Sequence, residues 1–276
     1  MGIDTRNLRR VMGRSALVVA AIQGATAAAA IPKHRRDYVD GIWGPGLAAV
    51  AVTSAVVGEG DATRRWALAA ATSVWGARLG TLMLGRLRSK DEEDPRYTEF
   101  LGEDASTGTV LTKVFLTQGA AQMLVSLPIQ MAAASELPAG RRRWLFPLGL
   151  ATAVAGTVIE AVADRQKDRF MAEKKAAKER GDANPPDILD TGLWGWSRHP
   201  NYFGDSVVWD GLYLAGAASA PTAWTFPAPV AMSYFLVYAT GAARTERRMQ
   251  ERPAFREYQK RVAFFFPWPK KALTGA

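Results

Sequence analysis

What most constrains this chain is where its charges are missing. Residues 15–32, 41–58, 66–77, 114–135, 144–159 and 211–243 contain no Asp, Glu, Lys or Arg. A mean hydropathy of −0.08 conceals these runs, because charge is concentrated in the segments between them. A helix needs about 20 mostly apolar residues to cross a hydrocarbon core, and lipid offers no partner for an unsatisfied backbone amide. Several runs approach that length, and the last is long enough for one helix and most of another. The runs predict an all-α polytopic integral membrane protein with seven helices, at 15–32, 41–58, 66–84, 112–134, 144–163, 202–219 and 222–243. Their Ala and Gly content suits close helix contact in lipid. Residues 1–276 read as a single membrane domain, with an N-terminal arm over 1–14 and a C-terminal tail over 244–276.

An odd number of crossings places the termini on opposite sides. One side carries loops 33–40, 85–111 and 164–201 and the tail, with 24 Lys and Arg; the other carries nine. The positive-inside bias assigns the richer side to the cytoplasm and the N-terminus to the outside. Arg6, Arg9, Arg10 and Arg14 ahead of an apolar stretch ending in Ala27–Ala30 also fit a signal peptide. The net charge of +9 needs no nucleic acid, since cytoplasmic loops facing anionic headgroups are basic and no nucleic-acid-binding signature occurs. His34 among Lys33, Arg35 and Arg36 reads as part of such an interfacial cluster. Cysteine is absent and the two His have no metal-ligand spacing, so neither a disulfide nor a metal site is expected. Residues 173–180 read as a solvated helical face continuing the fifth helix, stopped by Asn184-Pro185-Pro186. Residues 88–96 read as either a lid or a plain surface loop.

An ionisable side chain near the bilayer centre costs about 2.5–3.5 kcal/mol, so those within spans mark sites. Arg78 lies mid-way along the third span, with Arg86 eight residues on and nearly on the same face. Glu160 and Asp164 are four apart at the inner end of the fifth, and Asp205 and Asp210 flank the start of the sixth. These residues could form buried pairs that hold helices together. All of them on the cytoplasmic half fit a polar cavity open to that side. Arg suits phosphate because its planar fork bonds two oxygens, and carboxylates can accept from ribose hydroxyls. No GxGxxG or GxxxxGK[ST] occurs, so a nucleotide-like anion would be held by side chains.

The densest motif runs from Gly192 to Asp205, GLWGWSRHPNYFGD. Pro200 restricts His199 to extended geometry and can open a helix. Asn201 and Asp205 then share a face, while Arg198 and His199 sit at a helix N-terminus, where anions bind well. Trp194 and Trp196 fit an interfacial aromatic belt.

LDTGLWGWSRHPNYFGDSVVWDGLYL (189–214) resembles the hallmark of the steroid 5-alpha-reductase superfamily, in particular its bacterial branch of uncharacterised membrane proteins. Further likeness lies in VDGIWGPG (39–46), WGARLGTLMLGRLRSKDEEDPRY (75–97), EAVADRQ (160–166) and ERPAFREYQKRVAFFFPW (251–268). The resemblance implies a seven-helix enzyme of the bacterial inner membrane, monomeric among membrane lipids. It would bind NADPH from the cytoplasmic side and reduce an activated carbon–carbon double bond of a lipid or steroid-like enone. Asn201 and Asp205 match the polar pair at the nicotinamide end. Arg198, His199 and Tyr202 belong to the same motif, and Tyr202 and Asp205 are the candidate catalytic pair. Asp164 matches a cofactor-contacting acid of the fifth span and Arg78 the third-span Arg aimed at the phosphates, while Glu160 and Arg86 stand where the steroid enzymes have Asn; with Arg165 they complete the candidate cofactor-binding set. Arg244, Glu246 and Tyr258 match the tail that closes over the cofactor.

Two departures limit the substrate. Steroid reductases place a proton-donating Tyr three residues before the span Arg; Trp75 stands there, and its N–H is no acid. They also carry a Gln-Glu pair in the second span, whereas 41–58 has no carboxylate. A Δ4-3-keto steroid is therefore not expected, and the donor falls to Tyr202, Tyr97 or a bound water. Two other classes compete. Arg198-His199-Pro200-Asn201-Tyr202 and Arg244-Thr245-Glu246 loosely resemble the isoprenylcysteine carboxyl methyltransferases, which use S-adenosylmethionine, although Arg247 stands where those have a second Glu. The third class is a non-catalytic lipid-binding membrane protein.

Overall fold

The computed structural model describes residues 3–182, 187–239 and 241–270. Among these residues the secondary structure is helical, with one isolated bridge between Ser197 and Ala263 and no strand. Four helices are long and apolar enough to cross a membrane: Thr5–Lys33, Tyr38–Val57, Ala62–Arg88 and Arg141–Glu179. A fifth span results if Thr107–Val125 and Leu127–Ala133, bent by 50°, are counted as one. The described parts of Met1–Leu150 and Leu212–Ala228 form one compact unit, and those of Ala151–Gly211 and Pro229–Ala276 form another.

The first unit is built on α1 (Thr5–Ala30), α2 (Tyr38–Val57) and α3 (Ala62–Arg88). α1 starts ten residues before the expected position of 15, because Asp4 caps it: Asp4 Oδ1 accepts from the amides of Arg6 and Asn7, both at 2.9 Å. Most of the expected arm over 1–14 is therefore helix. α2 and α3 touch backbone to backbone through glycine. A Cβ added at Gly44 would lie 2.6 Å from the carbonyl oxygen of Gly76, and one at Gly80 would lie 2.6 Å from Pro45 Cγ. Only small residues permit such an approach.

Buried amides join the helices. Asn7 Nδ2 donates to the Val57 carbonyl (3.1 Å), and its Oδ1 accepts from the Glu59 amide (2.9 Å). Gln23 Nε2 donates to Gln122 Oε1 at 3.1 Å, and Gln122 Nε2 donates to the Trp43 carbonyl at 3.2 Å. Arg64 is 0 % exposed. Its guanidinium donates to Ser219 Oγ at 2.6 Å, to the Ala132 carbonyl at 2.9 Å and to Ser135, gathering three chain segments.

The remaining helices of this unit are α4 (Pro95–Leu101), α5 (Thr107–Val125, with a π segment over Leu111–Leu116) and α6 (Leu127–Ala133). The chain bends between α5 and α6 where Pro128 removes an amide donor from the ladder. Segments 35–40 and 88–98 are tied by the ion pairs of Arg36 with Glu93 and of Arg96 with Asp40 (2.8 Å), while Arg35–Asp37 (2.9 Å) and Arg96–Asp94 (3.0 Å) lie within the segments. Tyr97 Oη donates to Asp40 Oδ1 at 2.7 Å. Residues 88–96 are thus anchored at several points.

α7 (Leu145–Glu179) carries the expected fifth span, 144–163, on through most of the expected helical face over 173–180. Glu173, Lys175, Lys178 and Glu179 are exposed, as expected of a solvated face. The Asn184-Pro185-Pro186 stop lies outside the described residues. α8 (Pro200–Gly216) stops short of the expected 219. The expected continuous helix over 222–243 is not formed. A 3-10 segment covers Ala220–Thr225, α9 spans Pro227–Tyr234, a π turn covers Phe235–Ala239, and α10 (Ala242–Met249) begins afresh. Pro227 and Pro229 lack the amide that would continue the preceding turn. α11 (Pro253–Arg261) follows.

Candidate functional site

The second unit gathers most of the motif residues, and its geometry starts with a glycine. A Cβ added at Gly204 on α8 would lie 2.6 Å from the Glu160 amide nitrogen and 2.9 Å from the Gly156 carbonyl oxygen on α7. The two helices therefore cross with their backbones in contact, which only glycine allows. Glu160 and Asp164 on α7, and Asp205 on α8, are all buried. Asn201 Nδ2 donates to Asp164 Oδ1 at 3.2 Å, while Asn201 Oδ1 is buried with no hydrogen-bond partner. A buried amide oxygen left without a donor costs free energy.

The segment before α8 is pinned from two directions. Gln166 Oε1 accepts from the Leu193 amide (3.0 Å), and Trp194 Nε1 donates to the Ala163 carbonyl (3.0 Å), holding the 3-10 turn Gly192–Gly195 against α7. Gly192 has φ +58°, and a Cβ there would also strike the Gln166 amide; both demand glycine. From the other side the tail folds over. Tyr258 Oη donates to the Trp194 carbonyl at 2.6 Å, and Ser197 Oγ donates to the Phe265 carbonyl at 2.7 Å. The Arg198 amide donates to the Ala263 carbonyl, and the Trp268 amide to the Trp196 carbonyl, both at 2.9 Å.

Glu246 on α10 is the hub of this closure. Arg198 grips it with two bonds, Nε to Oε1 at 2.8 Å and Nη2 to Oε2 at 2.9 Å. His199 Nε2 lies 3.0 Å from Oε1, and Gln259 Nε2 donates to Oε2 at 2.6 Å. Burial alone would raise the Glu246 carboxyl, but the bonds from His199, Arg198 and Gln259 outweigh it and hold the group down to about 2. Burial pushes the Tyr258 phenol above its ordinary value. Arg198 Nη1 donates to the carbonyls of Gln259 (3.2 Å) and Val262 at the end of α11. Every nitrogen of its guanidinium is thus engaged within the chain. The His199 ring stacks on Tyr202, with centroids 5.9 Å apart, and meets the Phe264 edge at 5.5 Å.

Of the residues singled out from sequence, this unit brings Glu160, Asp164, Asn201, Tyr202 and Asp205 to the α7–α8 crossing, and Arg198, His199, Glu246 and Tyr258 to the closure beside it. Arg244 is half-buried on α10, and Arg165 is exposed on α7. Arg78 and Arg86 belong to the first unit, half-buried on α3, with Trp75 fully buried there. Tyr97, the alternative donor, is in the first unit and bonded to Asp40. Sequence reasoning passed over Ser197, Gln166 and Gln259. Gln166 and Gln259 fall inside segments already noted for their likeness, EAVADRQ and EYQKR, which was the available signal. Among the described residues no three His, Cys, Asp or Glu side chains are placed to hold a metal ion.

Fold and site together define a helical protein with four helices, or five with the bent pair, long and apolar enough to cross a membrane, whose polar groups converge where two helices cross and a C-terminal strap packs. The chain belongs to the family described as protein of unknown function (DUF1295), which it matches over residues 28–262. It is also similar to a Schizosaccharomyces pombe protein, uncharacterized protein C594.04c, at 29% identity over 152 residues. That match takes in 50% of this chain and 43% of the yeast protein, so the chain spans less than half the length of its curated relative. No solved structure matches.

Proposed function

We propose that this protein is an NADPH-dependent membrane reductase acting on the activated C=C bond of a lipid or steroid-like enone. The observation that carries the reading is Asn201: an amide fixed by Asp164 on one side and offering a buried, unpartnered oxygen on the other. That donor–acceptor character fits a nicotinamide carboxamide, whose NH2 can donate to Asn201 Oδ1. The DUF1295 family, which includes steroid 5-alpha-reductase-like proteins, adds support.

When bound, NADPH supplies the hydride that reduces the β-carbon of the enone. The chain's own residues do the rest. Asn201 and Asp164 orient the nicotinamide end. Tyr202, its ring steadied by His199, hydrogen-bonds the substrate carbonyl oxygen through Oη and protonates the enolate oxygen that hydride addition creates; the α-carbon then takes a proton from water as the enol O–H returns its proton to Tyr202. A donor placed in a water-poor cavity stabilises charge on that oxygen more strongly than one in water. Arg198 and Glu246 position the strap that excludes water; the Arg198 guanidinium is filled by Glu246 and the carbonyls of Gln259 and Val262 and leaves no fork for a phosphate. Seven crossings complete the proposal, with Pro200–Gly216 and the broken stretch 220–239 as the sixth and seventh. The N-terminus lies outside, the tail is cytoplasmic, and the membrane is the bacterial inner membrane.

The test is a thermal-stability screen of the purified protein with NADPH, NADH and S-adenosylmethionine. A ligand at 100 times its dissociation constant adds about 2.7 kcal/mol. The proposal expects NADPH to raise the melting temperature most. Stabilisation by S-adenosylmethionine alone would assign the protein to the methyltransferases, and no response to any of the three would leave a lipid-binding role.

A further inference from the structure

A second site lies in the first unit, where α1 starts, α2 ends and α3 starts. An open cleft of about 630 Å³ is lined by Arg10 and Arg14 of α1, Val56, Val57, Gly58 and Glu59 at the end of α2, and Arg65 of α3. Arg10 and Arg14 are one turn apart and present their charges together. Glu59 is engaged by Arg10. Arg14 and Arg65 have no acidic partner among the described residues, and Arg65 Nε is buried without any acceptor. A buried guanidinium N–H with no acceptor is unusual and points to an anionic oxygen as its complement. Three arginines against one glutamate leave the cleft with an excess of two positive charges.

Val56 and Val57 are the apolar lining of the cleft, and further exposed apolar side chains lie near it in sequence on the same three helices. Val56 is 64% exposed, and Val52, one turn deeper on α2, is 41% exposed. Leu17, about one turn beyond Arg14 on α1, is 64% exposed, and Trp66 follows Arg65 at 49%. Arginines at the helix ends with bare aliphatic side chains running toward the helix centres match an amphiphile lying along the span. An aromatic at the same level is the usual interfacial anchor. A soluble anion would gain nothing from that apolar wall.

We infer that this cleft binds the phosphate of an anionic phospholipid, held by Arg14 and Arg65 with its acyl chains along Leu17, Val52 and Val56. Arg serves here because its fork bonds two phosphate oxygens and it stays charged. The site is separate from the α7–α8 crossing and owes nothing to the proposed reduction.

The experiment uses the full chain in neutral detergent, titrated with phosphatidylglycerol, phosphatidylcholine or inorganic phosphate while melting temperature is followed. Phosphatidylglycerol is expected to stabilise saturably and more strongly than phosphatidylcholine, with no effect of inorganic phosphate. An arginine near an anionic surface adds roughly fivefold to affinity, so Arg14→Gln with Arg65→Gln should raise the phosphatidylglycerol midpoint about 25-fold. Arg141→Gln with Arg143→Gln, equally basic but outside the cleft, should leave it unchanged. Arg14→Glu alone, a surface change on α1, keeps the test valid if the double variant folds poorly. An unchanged midpoint in the cleft variants, equal stabilisation by both lipids, or an equal response to inorganic phosphate would each overturn the inference.

Discussion

Replacing Gly204 with Ala tests the helix crossing on which the candidate site stands. The new Cβ would sit 2.6 Å from the Glu160 nitrogen, 2.9 Å from the Gly156 oxygen and 3.0 Å from Glu160 Cα. All three are backbone atoms, so no side chain can swing away and the helices must separate. Overpacking of this kind costs about 1–3 kcal/mol. At roughly 2–4 °C per kcal/mol for a chain of this size, the melting temperature should fall by about 2–12 °C. Separation should also stretch the Asn201–Asp164 bond and weaken NADPH stabilisation. Gly85→Ala is the control: nothing lies within 4 Å of its would-be Cβ, and the Ala adds up to about 1 kcal/mol of helix propensity. Scanning calorimetry of both variants beside the parent decides the matter. If Gly204→Ala melts as high as Gly85→Ala, the backbone contact is not what joins α7 to α8.

The other predictions concern the closure and the buried arginine. The Glu246 carboxyl is held at about 2, below its ordinary 4.5, so its contribution to stability is present above about pH 4.5 and is lost as pH falls from there toward 2. Glu246→Gln should therefore be less stable at pH 7 and show a flatter acid limb in a melting-temperature profile; parallel limbs would refute this. Arg64→Met should lower stability on the order of 3 kcal/mol, because the carbonyls of Ala132 and Ser135 and the Ser219 hydroxyl lose a charged donor in a buried place. Denaturation of this variant with the same midpoint as the parent would count against that role. Tyr97→Phe should cost about 1 kcal/mol through its lost bond to Asp40 yet leave NADPH stabilisation intact; loss of that stabilisation would return Tyr97 to the site.

Much of the architecture could be read from charge-free runs, because lipid leaves a chain few choices besides helix. The cluster around Gly192–Asp205 was legible for a different reason: its functional residue types lie together in one short stretch of sequence, although their partners are 27 to 68 residues away. What escaped reading was set by partners far along the chain. Arg64 falls between the expected second and third spans, yet it donates to Ser219 and Ser135, distant in sequence, and is buried. The start of α1 was hidden because Arg6, Arg9 and Arg10 resemble an unstructured basic arm, while the Asp4 cap is a single residue. Pro227 and Pro229 could have warned that 222–243 would not run as one helix, but an unbroken apolar composition outweighed them. Arg198 has the chemistry of a phosphate ligand, and only the arrival of Glu246 from 48 residues away shows that its fork is already filled. The Gly156–Gly204 contact has no sequence period at all, since each glycine means nothing until its partner helix is known.

The most direct test of the central claim is a titration of NADPH fluorescence with the purified protein, repeated with Asn201→Ala. Saturable binding of one cofactor per chain, weakened about fivefold or more when the amide is removed, is the predicted result. No saturable signal from a protein that retains its helix content and melting transition, or equal binding by the variant, would contradict it.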